Sequence, residues 1–149
     1  MRASITKTRL TFEYGKFLFD LELRGKIISV GGDSGTGKTL MFNKLLDMIK
    51  NYNLTGVSCF NASLKPDDLR YLIFKNRNEL VIIDNADLLL LDSGDPGNLL
   101  KFNNRYILYT RNPQFYRIPD NCQARLVCKE LKNPKTGEKI YKFTLSYLW

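Results

Sequence analysis

Histidine is absent from this 149-residue chain, and cysteine occurs only three times, at Cys59, Cys122 and Cys128, with no C-x-x-C spacing. Without histidine, a zinc site has almost no ligands, and serine or cysteine triads lack their usual general base. The few cysteines fit a reducing, intracellular setting. No apolar run approaches the ~18 residues that would span a bilayer, and residues 1–9 contain no apolar signal core. We therefore expect a soluble, cytoplasmic protein without membrane insertion.

Acidic side chains are also few, 15 against 23 lysines and arginines, which leaves a net charge of +8. The excess lies at the two ends, since residues 1–26 carry +3, residues 27–124 carry +1 and residues 125–149 carry +4. If these ends meet in the fold, they form a basic face for nucleic acid or an acidic partner. A solvated surface that aids solubility explains the same charges equally well.

The most informative stretch fits the phosphate-loop pattern G-x-x-x-x-G-K-[ST] at every fixed position: Gly32-Asp33-Ser34-Gly35-Thr36-Gly37-Lys38-Thr39. An apolar run at 27–30 precedes it and an apolar-rich stretch follows from residue 40, which is the strand-loop-helix context of the motif. The glycines permit backbone conformations that are closed to other residues, and they leave the amides open to an anion. These N–H groups would form a nest at the positive end of the following helix. The stretch therefore predicts a polyphosphate site.

This segment resembles the Walker A motif of P-loop NTPases. The resemblance implies that residues 32–39, together with Leu40, bind the nucleotide. It also implies that Lys38 reaches the β- and γ-phosphates and that the Thr39 hydroxyl ligates Mg²⁺. The implied cofactors are ATP and Mg²⁺.

A second motif follows the strand predicted over 80–83, where four apolar residues lead to Asp84. It resembles the Walker B motif, whose aspartate holds Mg²⁺ through water; a helix cap is the plainer interpretation. Many ATPases of this kind carry a glutamate next, which polarises the attacking water, whereas this chain has Asn85, and an amide cannot accept that proton. Asp87 is the next carboxylate and the candidate substitute.

The strand predicted over 105–109 ends near Thr110 and Asn112. In AAA-like and related ATPases, a polar residue at this sensor 1 position contacts the γ-phosphate or the lytic water, and ordinary turn roles are the equal alternative. Arg111 or Arg117 is a candidate to face a phosphate, in this subunit or a neighbour's, although a solvated arginine is the simpler interpretation.

Alternating side chains at 4–13 and 17–23, around a turn at 14–16, predict an N-terminal β-hairpin. This beginning is similar to that of ABC-type ATPases, in which an aromatic side chain stacks on adenine. Tyr14 or Phe12 is the candidate for that role, with a place in the core as the alternative.

Together these features predict an α/β fold of three layers with a largely parallel sheet, nucleotide at the carboxyl ends of the strands, and N-terminal and C-terminal β-hairpins. Alternation around a turn at 133–138 predicts the second hairpin. The chain is identified as a small P-loop NTPase of the ASCE division, with an AAA-like or RecA-like core over roughly 26–112, an ABC-like N-terminal hairpin and no lid. Residues 1–149 are expected to form one nucleotide-binding domain.

The functional hypothesis is a Mg²⁺-dependent ATPase that acts as a motor or switch for a protein or nucleic-acid partner, or within a homo-oligomer. A non-hydrolysing module, whose assembly depends on bound nucleotide, is the alternative that Asn85 favours. A small-molecule kinase, with the segment Arg111 to Arg117 as its lid, is a third. A GTPase is disfavoured because neither a D-x-x-G after the Asp84 strand nor an N-K-x-D motif occurs.

Overall fold

The computed structural model describes residues 2–32, 37–63, 66–90, 96–111 and 122–148. Nine strands form one sheet: β1 (Ala3–Ile5), β2 (Arg9–Tyr14), β3 (Phe17–Glu22), β4 (Ile27–Gly31), β5 (Val57–Asn61), β6 (Leu80–Asp84), β7 (Arg105–Tyr109), β8 (Gln123–Lys132) and β9 (Lys139–Tyr147). The described helices are α1 (Lys38–Asn51), α2 (Pro66–Ile73), α3 (Ala86–Leu90) and a 3₁₀ helix (Pro96–Lys101).

The strand order across the sheet is β1-β2-β3-β9-β8-β4-β7-β6-β5. Strands β4, β7, β6 and β5 are mutually parallel, because a helical segment returns the chain to the same edge between them. The predicted β2–β3 and β8–β9 hairpins are present and antiparallel. They are continuous with the sheet, since β3 pairs in parallel with β9 and β8 in parallel with β4.

Helix α1 carries a broad apolar face, and the sheet curls around it. Its buried residues are Met41, Phe42, Leu45 and Met48, while Leu40, Leu46 and Ile49 are partly buried. The polar residues of the helix, Lys50 among them, lie mostly on the remaining side. Strands β2 to β9 all contribute apolar residues to one continuous cluster with this face.

The curl brings the two edges of the sheet towards each other. A Cβ built at Gly56, just before β5, would lie 3.8 Å from Cδ1 of Ile5 in β1. The Arg105 guanidinium of β7 donates a hydrogen bond to the carbonyl of Thr6, just after β1. The sheet is therefore nearly closed, although the order has two ends.

A second apolar cluster lies on the opposite face of the central strands. It joins Ile27, Val81, Ile83, Tyr106 and Leu108 of the strands to Ile73, Ala86 and Leu99 of the helical segments. Strands β4, β6 and β7 are thus buried on both faces, as their continuous apolar runs predict.

The predicted three-layer α/β fold with a largely parallel sheet is wrong, and so is the identification as an ASCE-division P-loop NTPase that depended on it. The sheet is mixed, barrel-like and built of nine strands, with only three short α-helices among the described residues. The error has a physical cause. The prediction places the hairpins outside the parallel sheet, whereas their open edges pair with it.

Candidate functional site

A pocket opens where the parallel strands β4, β6 and β7 reach their carboxyl ends. The residues that line it come from four separate parts of the chain: Gly32, Lys38, Thr39, Asp84, Asn85, Asp87, Tyr109, Thr110 and Arg111. The sequence pattern singled out most of them as candidate phosphate, metal or catalytic residues. The fold therefore brings together side chains that lie more than 70 positions apart in the sequence.

The N-terminus of α1 lies at this end of the sheet, since Lys38 and Thr39 both line the pocket. Gly37 is the N-cap residue, with φ of 99°, and no side chain caps the helix. The first intrahelical bond runs from the Met41 N–H to the Gly37 carbonyl, at 2.9 Å. The N–H groups ahead of Met41 thus lack partners within the helix, and no acidic residue lies in the first turn. This arrangement favours an anion.

Lys38 lies at the pocket opening, between the carboxyl ends of β4 and β7. Its Nζ donates to the carbonyl of Gly32 (2.8 Å) and to that of Thr110 (3.3 Å). Both acceptors are backbone carbonyl oxygens. Thr110 is buried, its N–H donates to the Val30 carbonyl (3.0 Å), and its hydroxyl lies 3.5 Å from Ser29 Oγ. These contacts hold Lys38 beside the end of β4.

Asp84 lies across the pocket at the last position of β6 and is half-buried. Burial raises the pKa of its carboxyl group, while the Asn85 N–H and the Lys38 charge lower it and Asp87 raises it further. The Asn85 N–H donates to Oδ1 of Asp84 at 3.0 Å, which fixes the orientation of the carboxylate. A desolvated carboxylate next to a cationic side chain gains from a nearby metal ion.

Asn85 occupies the position next to Asp84 where many ATPases carry a water-polarising glutamate. It adopts a left-handed conformation with φ of 53°, which asparagine tolerates better than most residues. Its side-chain amide donates to Oδ1 of Asn61 at 3.0 Å, so that it ties the end of β6 to the end of β5. Asp87 lies in the first turn of α3 and lines the pocket. Asp87 is thus a carboxylate that reaches the site, and Asn85 has a structural bond of its own.

The donor set fits Mg²⁺ in the presence of phosphates better than an all-protein metal cage. Among the described residues, no group of three or more histidine, cysteine, aspartate or glutamate side chains converges to hold a metal ion. Thr39 and Asp84 both line the pocket and offer a hydroxyl and a carboxylate. Mg²⁺ typically takes one or two carboxylates and completes its octahedron with water and substrate phosphates.

Of the remaining sequence candidates, Phe12 and Tyr14 have partners outside the pocket, and Arg111 lies at its rim. Phe12 is fully buried and stacks on Phe19. The Tyr14 hydroxyl donates to Asp47, and the Lys44 ammonium lies 4.6 Å from the centre of the Tyr14 ring. Leu40 packs against the inner core, while Arg111 is exposed at the pocket rim. Asp33, Ser34, Gly35, Thr36, Asn112 and Arg117 fall outside the described residues.

Sequence reasoning missed Phe143 of β9, whose ring lies directly against Gly37. It stacks on Phe19 with ring centres 4.7 Å apart, and Phe19 stacks on Phe12 at 4.4 Å. No local pattern links residue 143 to residue 37, because the contact depends on the parallel pairing of β3 with β9. The C-terminal hairpin therefore supports the start of α1.

Comparison of the chain with protein-family models, curated proteins and solved structures gave no match. Within the part of the chain that the structure describes, no helix combines the length and the apolar character needed to cross a bilayer.

Proposed function

We propose that this protein binds ATP with Mg²⁺ in the pocket at the start of α1 and hydrolyses it, as a motor or switch for a partner. The observation that carries the proposal is the convergence of Lys38, Thr39 and Asp84 on one pocket, beside an uncapped helix N-terminus. A cation, a metal-ligating pair and a helix N-terminus are the groups that a triphosphate requires.

Lys38 is the candidate phosphate ligand. Its hydrogen bonds to Gly32 and Thr110 end on carbonyl oxygens, and phosphate oxygens are stronger acceptors because they carry charge. The exchange needs only a short movement of a flexible side chain. Because the pocket is partly shielded from water, the attraction between the ammonium and a phosphate exceeds its value on an open surface.

Thr39 and Asp84 are the candidate Mg²⁺ ligands. A bound Mg²⁺ would neutralise charge on the phosphates and so assist departure of the γ-phosphate. The raised pKa of Asp84 supports this assignment, because a carboxylate held in a partly desolvated place is stabilised by a divalent cation. The Asn85 N–H would keep Asp84 oriented during this exchange.

The hydrolytic role falls to Asp87 in this proposal. It is the carboxylate of the pocket that is not assigned to the metal, and its place in the first turn of α3 sets it beside Asp84. Asn85 supports a second candidate function, a nucleotide-dependent switch that does not hydrolyse ATP, because its amide is bonded to Asn61 and is no base. The two candidates differ only in turnover.

The test is steady-state phosphate release from Mg-ATP by the wild type and by Lys38→Ala, each with and without DNA. The proposal predicts turnover in the wild type and its loss in Lys38→Ala. ATP binding without turnover would favour the non-hydrolysing switch. Equal turnover in both proteins would contradict the role of this pocket.

A further inference from the structure

The β8–β9 hairpin continues past its pairings with the neighbouring strands. Strand β8 pairs with β4 only over 123–125, and β9 pairs with β3 only over 141–143. Among the described residues, strand residues 126–132 of β8 pair only with β9, from Leu126 opposite Leu145 to Lys132 opposite Lys139. The last two pairs, at 131–132 and 139–140, and the turn between them lie beyond the pairing of β9 with β3. We name residues 126–140 the ribbon arm.

The ribbon arm rises at the same end of the sheet as the pocket. Arg125 is in register with Gly31, and because β8 runs parallel to β4, the residues after Arg125 continue past the carboxyl end of β4. At about 3.3 Å per residue, Lys129 lies roughly 13 Å and Lys132 roughly 23 Å beyond that point. The arm therefore stands beside the nucleotide pocket.

The arm places like charges opposite each other. Lys129 faces Lys142, and Lys132 faces Lys139, in directly paired positions of the antiparallel ladder. Such pairs destabilise an isolated hairpin. An anion bound near these pairs relieves their repulsion, which strengthens its binding. The pairs therefore indicate an anionic partner.

Only part of this charge is balanced within the protein. Among the described residues, ion pairs join Lys139 to Glu130 (3.3 Å) and Lys142 to Asp20 (3.9 Å), and none joins Lys129, Lys132 or Lys135 to an acid. These three side chains are exposed, two on the strand of β8 and one in the turn. Lys129 and Lys132 lie on opposite faces of the ribbon, because side chains alternate along a strand, and Lys135 lies in the turn, so that cations are present on both faces and at the tip.

The chemistry of the arm distinguishes duplex DNA from single strands. Proteins that bind single-stranded nucleic acid stack the bases on aromatic side chains, and residues 126–140 contain no phenylalanine, tyrosine or tryptophan. A two-stranded β-ribbon fits the major groove of B-form DNA, whereas the major groove of an RNA duplex is too narrow for it. We infer that the ribbon arm binds duplex DNA through phosphate contacts of Lys129, Lys132 and Lys135.

This inference names the partner that the proposed function leaves open. Duplex binding itself does not depend on ATP binding; only its use by an ATP-dependent motor or switch rests on the proposed function. The test is fluorescence anisotropy of a labelled 20-base-pair duplex without nucleotide, over a salt series. We expect Lys129→Gln/Lys132→Gln/Lys135→Gln to bind at least ~30-fold more weakly than the wild type, with the salt slope reduced by about 2.7, or about 0.9 per lost contact.

The matched control removes the same charge elsewhere, at three exposed lysines outside the arm: Lys50→Gln/Lys75→Gln/Lys101→Gln. This control should retain binding to within about threefold. Lys38→Ala should also retain duplex binding, so that loss of ATP binding and loss of DNA binding are separate results. The melting temperature of the arm variant should equal or exceed that of the wild type, because Lys129→Gln and Lys132→Gln each relieve a like-charge pair.

Equal weakening in the arm variant and the control would overturn the inference, as would no binding by the wild type. Tighter binding of single-stranded DNA or of duplex RNA of the same sequence would overturn the assignment to duplex DNA. If the triple variant melts early, Lys135→Gln alone, in the turn, should still weaken binding about fivefold or more.

Discussion

The ring of Phe143 lies against Gly37, so closely that a Cβ built on Gly37 would stand 2.5 Å from Cε1 of the ring. Phe143 belongs to the C-terminal hairpin, and Gly37 opens the helix that carries Lys38 and Thr39. The start of α1 and the C-terminal hairpin thus meet at one contact, and the first prediction concerns it.

Gly37→Ala should destabilise the protein by about 2–4 kcal/mol and abolish ATP binding. The residue has φ of 99°, which costs an alanine about 1–2 kcal/mol, and the clash with Phe143 adds about 1–3 kcal/mol. Urea unfolding measures the first quantity and titration with Mg-ATP the second.

Gly15→Ala is the matched control for this variant. Gly15 also has a positive φ, of 59°, but a Cβ there would meet nothing within 4 Å. Gly15→Ala should lower the free energy of unfolding only by the cost of an alanine at positive φ, about 1–2 kcal/mol, and leave ATP binding intact. If both variants lose the same stability, the Phe143 contact has no energetic weight.

Asp84→Asn should raise the stability of the nucleotide-free protein and weaken Mg-ATP binding by about tenfold to a hundredfold. An amide avoids the desolvation that raises the Asp84 pKa, and its oxygen still accepts the Asn85 N–H. Loss of a charged metal ligand accounts for the weaker binding. Calorimetric melting and binding titrations measure the two opposite effects; a variant that is both less stable and unimpaired in binding would refute the assignment.

The same carboxylate predicts a pH dependence. Because its pKa in the native state is raised above the ordinary 3.8, the native protein retains this proton at pH values where the unfolded chain has released it. The contribution of Asp84 to the free energy of unfolding therefore falls as pH rises through that window. The amount by which Asp84→Asn is more stable than the wild type should grow from low pH to neutral pH. Melting curves of both proteins at pH 3.5, 5 and 7 measure this difference. An advantage that shrinks with rising pH would contradict the account.

Tyr14→Phe should leave the affinity for ATP unchanged while lowering the melting temperature slightly. The Tyr14 hydroxyl donates to Asp47, which lies more than two turns along α1 from Lys38, at about 1.5 Å per residue. That bond also raises the pKa of Tyr14 and lowers that of Asp47. A marked loss of ATP affinity would restore the interpretation of Tyr14 as the adenine platform.

Asp87→Asn should slow phosphate release about a hundredfold without weakening ATP binding, since it removes the proposed general base and keeps the metal ligands. Single-turnover assays separate the two steps. Unaltered release would move the hydrolytic role to another group or to the partner.

Sequence patterns predicted which residues share a pocket better than they predicted the architecture around it. The phosphate-loop pattern and the apolar run before Asp84 are local signals, and Lys38, Thr39 and Asp84 do line one pocket. The hairpin turns at 14–16 and 133–138 were predictable for the same reason, since turn chemistry is local.

The curl of the sheet was not predictable from those signals, because it depends on pairings between distant strands. Phe17 pairs with Tyr141 and Ser29 pairs with Gln123. No local sequence pattern predicts either of these pairs.

The most direct test of the central claim is calorimetric titration of Mg-ATP into the wild type, Lys38→Ala and Lys50→Ala. Lys50 is an exposed lysine in the last turn of the same helix, so it controls for loss of charge from α1. The account predicts that the wild type and Lys50→Ala bind with equal affinity and that Lys38→Ala binds at least ~30-fold more weakly, as expected for loss of a charge-assisted contact of about 2 kcal/mol. Equal affinity of Lys38→Ala and the wild type, or no binding by the wild type, would contradict it.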